Sequence, residues 1–202
     1  MPIKIQIVKH TKEKREKSSA FPLIFLSNNF SLFETDGSNW SELSGLDFGS
    51  PNNNYVLYPH KDARLISELT PKEYSEMESI KIIDCTWAQS NAMLRGMPTG
   101  VKFLKLEDYE TTFWRYQLHN NKCLATVEAI YYMLREWDDR RVGGGGGGQS
   151  NESLDGVMFW YILQYLQIKG SITNRHDEKN WRYFRQLKEG GGAGGEEKKL
   201  KI

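Results

Sequence analysis

At residues 82–87 the chain reads Ile-Ile-Asp-Cys-Thr-Trp. An acid, a thiol, a hydroxyl and an indole follow directly on the apolar run Ser-Ile-Lys-Ile-Ile, and a helical pattern takes over at 88–95. In an open α/β sheet, ligands bind just past the carboxyl ends of the strands, so Asp84 is a candidate for acid–base or orienting work. The same residue suits the N-cap of the next helix, or a bound amine, and the residues alone leave those readings open. Arg115 lies in the aromatic cluster Phe113-Trp114-Arg115-Tyr116. Its guanidinium fork matches a carboxylate, a phosphate or the face of Trp114. Thr126 falls in the first turn of a helical pattern at 124–137, with Glu128 two residues on. Backbone N–H groups at such a turn can donate to a carboxylate or an adenine edge, while Glu128 equally complements the helix dipole.

The run Lys9, His10, Lys12, Lys14, Arg15 and Lys17 is dense in positive charge, and reads either as a solvated loop or as a phosphate-contacting surface. Cys85 has no histidine near it in sequence, so a small packed thiol is the better assignment than a nucleophile. His10, His60, His119 and His176 show no ligand spacing, and no metal site is expected.

These residues need strands and helices to hold them. Ile3, Ile5 and Ile7 alternate with polar neighbours, as in a half-buried strand. Further strands are expected at 55–58, 79–84 and 101–106, with a short one at 31–34. Helices are expected at 21–28, where Pro22 suits the first turn, and at 61–69, where Ala63, Ile66 and Leu69 share a face. Thr70-Pro71-Lys72-Glu73 opens another helix with a capping box. Val127, Ile130, Tyr131, Leu134 and Trp137 give the clearest helical period, followed by a second aromatic-rich helix at 154–168 and a short one at 180–187. Residues 35–54 read as a loop, unusually long for a compact domain. Strands alternating with helices imply an α/β fold: a mostly parallel sheet with helices on both faces.

The 202 residues fit one domain at 1–189, with a flexible glycine-rich insertion at 143–150 and a disordered tail at 190–202. Hydrophobic residues at 39% and charged residues at 26% fit a soluble globular chain, with no apolar run long enough to span a membrane. Two cysteines exclude a disulfide framework and suit a reducing compartment. A net charge of +1 neither favours nor excludes nucleic acid. The absence of Gly-x-Gly-x-x-Gly and of a Gly-Lys-Ser/Thr loop argues against a dinucleotide site or a P-loop.

Four segments in order resemble the DTW-domain family, the tRNA-uridine aminocarboxypropyltransferases, and most closely its eukaryotic type 1 branch. They are Lys9-His10-Thr11-Lys12-Glu13 with Lys17-Ser18-Ser19-Ala20; Leu57-Tyr58-Pro59; Asp84-Cys85-Thr86-Trp87 followed by Gln89; and Phe113-Trp114-Arg115-Tyr116-Gln117 with Leu124-Ala125-Thr126-Val127-Glu128-Ala129-Ile130-Tyr131-Tyr132. Thr11, Ser19 and Ala125 depart from the family's Pro, Thr and Ser. The resemblance implies a SPOUT-like sheet ending in a C-terminal trefoil knot. It implies transfer of the 3-amino-3-carboxypropyl group from S-adenosyl-L-methionine to N3 of a uridine in the tRNA D-loop, releasing methylthioadenosine. It assigns the donor to Leu57, Tyr58, Pro59, Thr86, Trp87, Leu124, Thr126 and Glu128, and catalysis to Asp84 and Arg115. tRNA would meet Lys9, His10, Lys12, Arg15, Lys17 and Trp114, in the nucleus or cytoplasm. Cys85 also nods to the related ribosomal-RNA enzyme, whose signature is Asp-Cys-Ser-Trp, and Ala125 to a tRNA-binding module without catalysis.

Overall fold

The structure is a computed structural model that describes residues 3–46, 48, 54–111, 123–142, 156–159 and 161–162. Six strands form one sheet: β1 (Lys4–His10), β2 (Phe30–Thr35), β3 (Tyr55–Leu57), β4 (Arg64–Leu65), β5 (Ser79–Asp84) and β6 (Lys102–Lys105). Their spatial order is β2-β1-β5-β3-β6-β4, and every pairing is parallel. All the carboxyl ends therefore share one edge of the sheet. The register sets Lys9 beside Asp84, and Leu57 between Ile82 and Leu104.

The helices are α1 (Pro71–Glu76), α2 (Trp87–Arg95) and α3 (Thr126–Val142). Successive strand residues point to opposite faces, so two cores result. Ile5, Ile7, Ile80 and Ile82 pack against α3 through Val127, Ile130, Leu134 and Trp137, all at most 4% exposed. Residues 156–159 and 161–162 are helical, and add Val157, Met158 and Tyr161 to that core. On the other face, Val8 meets Met93 of α2 and the fully buried Trp40.

β1 is buried on both sides from Ile5 to His10, not half-buried as its alternation suggests, because α3 covers one face of the sheet and α2 with the Trp40 turn covers the other. The 35–54 stretch is not a bare loop. Its 3-10 turn Trp40–Glu42 lays Trp40, Leu43 and Leu46 over the second face. Close approach to α2 demands small residues there: Gly37 has φ 89°, and a Cβ on it would meet the Ala92 carbonyl carbon at 2.9 Å.

Residues 61–69 are a further correction. They form the edge strand β4 and a 3-10 turn, Ile66–Glu68, instead of a helix. Ala63, Ile66 and Leu69 are still buried, since a spacing of three is also the repeat of a 3-10 turn. The helix expected at 21–28 is likewise a 3-10 turn, Phe21–Phe25. The capping box of α1 forms as expected, with Glu73 N–H donating to Thr70 Oγ1 and Thr70 N–H to Glu73 Oε2. The expected helix at 180–187, the glycine insertion, the tail and the trefoil knot lie outside the described residues, as does the end of the 154–168 helix.

Candidate active site

A hollow of about 380 Å³ opens at the carboxyl ends of β3, β5 and β6. That size suits a small organic ligand. Four chain segments line it. Leu57 ends β3 and Tyr58 and Pro59 follow it, and the Tyr58 N–H donates to the Leu104 carbonyl (2.9 Å), which ties this turn to β6. Ile82, Ile83, Cys85, Thr86, Trp87 and Ser90 come from β5 and α2. Lys105 ends β6 and Leu106 to Tyr109 follow it, while Leu124 leads into α3 and Thr126 and Ala129 lie in its first turns.

Asp84 sits behind the wall of this hollow, 5% exposed. Its Oδ2 accepts from Ser18 Oγ at 2.5 Å, and its Oδ1 accepts from Thr126 Oγ1 at 2.7 Å. Ser18 Oγ in turn accepts the Phe21 N–H (3.0 Å), and Ser19 Oγ accepts the Val127 N–H (3.2 Å). One carboxylate thus joins three segments that are remote in sequence. The capping of α2 falls elsewhere: Thr86 is its N-cap residue, and the Thr86 N–H donates to Gln89 Oε1 (2.9 Å).

Of the residues proposed for the donor, Leu57, Tyr58, Pro59, Thr86, Trp87, Leu124 and Thr126 line the hollow. Glu128 does not. It is fully buried, where its Oε2 accepts from Thr111 Oγ1 (2.7 Å) and the Ala125 N–H (2.8 Å) and its Oε1 from Tyr161 Oη (3.4 Å). Those bonds brace the entry to α3. Arg115 and Trp114 lie outside the described residues.

The basic run divides. Lys12, Lys14, Arg15 and Lys17 are exposed. Lys9 and His10 are interior residues, at 1% and 4% exposed, and this corrects their assignment to an RNA surface. Lys9 Nζ donates to the carbonyls of His10 (3.1 Å) and Glu13 (2.5 Å) and pairs with Glu34 (3.4 Å). His10 Nδ1 accepts the Lys12 N–H (3.0 Å). A buried ammonium spent on such partners has none left for phosphate.

Burial, and then the negative charges of Asp84 and Glu13, push the Cys85 thiol up to about 12. That is the reverse of what an activated nucleophile requires. The 105–109 wall is the part that the residue types alone do not single out. Glu107 N–H donates to Glu136 Oε1 of α3 (2.9 Å), and Tyr109 stacks on Tyr132 at 3.8 Å. Burial raises the Glu136 carboxyl above its usual range and pushes the Tyr132 phenol up to about 12. The strand-end rule that selects Asp84 also selects 106–109, since they follow β6 directly. Ser18 stands in a quoted motif, yet nothing local marks it as a partner of Asp84.

Among the described residues, no three His, Cys, Asp or Glu side chains stand together as metal ligands, and no helix is long and apolar enough to cross a membrane.

The DTW domain family matches this chain over residues 1–167. The chain is similar to tRNA-uridine aminocarboxypropyltransferase 1 of Xenopus laevis, with 26% identity over 118 residues, or 57% of this chain and 37% of that protein. It is also similar to the Homo sapiens protein of the same name, with 31% identity over 97 residues, or 47% of this chain and 31% of that protein. The matched stretch thus spans about a third of the length of these relatives. Among solved structures it is similar to the SAM-dependent rRNA:acp-transferase Tsr3 from Vulcanisaeta distributa. The TM-score is 0.52 with 16% identity, covering 95% of this chain and 85% of that one, a likeness of fold.

Proposed function

This chain belongs to the DTW-domain family, and from that premise we propose that it moves the 3-amino-3-carboxypropyl group of S-adenosylmethionine to N3 of a uridine in the tRNA D-loop. Methylthioadenosine is the other product. One observation carries the reading: the signature carboxylate, Asp84, is bonded through Thr126 to a ligand-sized hollow walled by the family's own motif residues.

The residues present suit such a donor. Leu57, Pro59, Leu106 and Leu124 offer an apolar wall for a purine. Glu107 and Asp108 supply acceptors for ribose hydroxyls and a negative field for a cation. The first turn of α3 favours an anionic group at its positive end. When bound, S-adenosylmethionine supplies a carbon chain on a sulfonium, a leaving group that needs little covalent help. What remains for the protein is orientation and the removal of one proton, and orientation alone is worth about 7–11 kcal/mol of barrier. Thr126 Oγ1 stands between the hollow and Asp84 Oδ1, 2.7 Å apart. The N3 proton of uridine therefore has a path to Asp84 through that hydroxyl, with Ser18 holding the other oxygen. Arg115 and Trp114 keep the roles of carboxylate ligand and RNA contact in this proposal. A SPOUT-like sheet ending in a C-terminal trefoil knot completes the proposed fold.

Incubation with S-adenosylmethionine and unmodified tRNA is expected to release methylthioadenosine and to leave a modified D-loop uridine. Release of S-adenosylhomocysteine overturns the choice of carbon. Turnover on a ribosomal-RNA fragment in place of tRNA favours the second reading, which Cys85 in the signature motivates. Binding of tRNA without any turnover favours the module without catalysis.

A further inference from the structure

We propose that Phe25, braced by Phe21 and carried on the segment that bears the exposed cations of residues 12–17, is a stacking platform for an unpaired RNA base flanking the acceptor uridine. The proposal rests on the RNA-acceptor reading above and adds a contact that reading does not contain. Phe25 is 73% exposed, the most of any large apolar side chain among the described residues. A lone exposed phenyl ring is ordinary; its mounting here is not.

Phe25 stands edge-on to Phe21, with centroids 5.6 Å apart at 86°. The Arg15 guanidinium lies over the Phe21 ring at 5.4 Å, itself steadied by Glu34 at 3.0 Å. Phe21 thus backs Phe25 on one side, while most of the Phe25 ring stays exposed. The turn that carries both rings starts on Ser18: the Phe21 N–H donates to the hydroxyl that also donates to Asp84. From Phe21 to Phe25 a 3-10 turn rises about 8 Å. The platform is thus tied to the signature carboxylate at short range.

The chemistry favours RNA over a protein partner. Lys12, Lys14 and Lys17 are exposed on the segment that leads into the turn, and they supply phosphate contacts. Aromatic rings beside a cationic track are how unpaired nucleic acid is held without sequence readout. One ring with Leu26 beside it is far short of the about 800 Å² that each side of a stable protein interface buries.

The test uses the full chain with Phe25→Ala and Phe25→Trp. It measures binding of unmodified tRNA, of a short single-stranded oligouridine and of an RNA duplex, with S-adenosylmethionine binding followed by calorimetry. Phe25→Ala is expected to weaken tRNA and oligouridine by about 5- to 150-fold, the range for one base on one ring. Phe25→Trp is expected to restore both, with duplex and S-adenosylmethionine binding unchanged. Equal oligouridine affinity in the parent and Phe25→Ala overturns the platform, and methylthioadenosine release from tRNA would then show that the transferase reading survives it. Self-association lost in Phe25→Ala, with RNA affinity intact, overturns it in favour of a contact between copies. A parent chain that binds S-adenosylmethionine but no RNA overturns both.

Discussion

Thr126→Val is the sharpest probe of the junction behind the hollow. Valine keeps the shape of threonine and removes one donor. The hydroxyl lost is the one that donates to Asp84 Oδ1 at 2.7 Å, next to a carboxylate only 5% exposed. A hydrogen bond to a charged group is worth about 1.5–3 kcal/mol. Single removal of Asp84 is harder to read, because it breaks two bonds yet also takes away a buried carboxylate. A double-mutant cycle separates these effects. In the parent background Thr126→Val should cost about 1.5–3 kcal/mol, and in an Asp84→Ala background less than about 0.5 kcal/mol, because no acceptor is left to lose. Urea unfolding reads the difference: with an m-value of about 2 kcal/mol/M, the parent-background midpoint falls by about 0.8–1.5 M. The same substitution should lower methylthioadenosine release through kcat. Equal costs in both backgrounds would refute the claim that Asp84 holds the start of α3 through this hydroxyl.

Three further outcomes are expected. Hydrogen bonds from Arg64, and then from the Thr70 backbone, hold Glu73 down to about 2, so its contribution to stability is complete above its usual carboxylate range and is lost as pH falls towards 2. Since Arg64 is 43% exposed, the contribution is only about 1 kcal/mol; acid unfolding of Glu73→Gln should lack that increment between pH 5 and 2. The Cys85 thiol, pushed up to about 12, leaves a thiolate fraction at pH 8 of about one in ten thousand. Iodoacetamide should therefore label it only after unfolding, as read by mass, and Cys85→Ser should keep transferase activity. The joint change of Lys12 and Lys17 to Ala should reduce the salt slope of tRNA binding by about 2 and leave the unfolding midpoint unchanged. Lys9→Met should instead lower the midpoint, with no change in slope beyond that of the unfolded fraction.

α3 could be read directly because its buried face repeats at helical spacing and needs no information from elsewhere in the chain. The α1 cap was equally local: Thr70, Pro71 and Glu73 interact within one turn. The strands at 79–84 and 102–105 announced themselves through apolar runs, and their parallel arrangement followed from the helical segments between them. Residues 61–69 could not be read this way, because a spacing of three serves a helix and a 3-10 turn alike. Pairing of Arg64 and Leu65 with β6, some forty residues away, chose the second.

The same division runs through the site. Which residues gather at the hollow was legible in the sequence: motif and strand-end position both select Leu57 to Pro59 and Asp84 to Trp87, and the motif alone selects Thr126. That Asp84 faces Ser18 and Thr126, 66 and 42 residues distant, was decided only by the fold. So was the fate of Lys9, a charge in a basic run that the neighbouring β2 buries against Glu34. Local spacing reports which face of an element a side chain takes. Which partner waits on that face depends on how strands are ordered across the sheet, and hydrogen bonds over such separations form only once the chain has closed on itself.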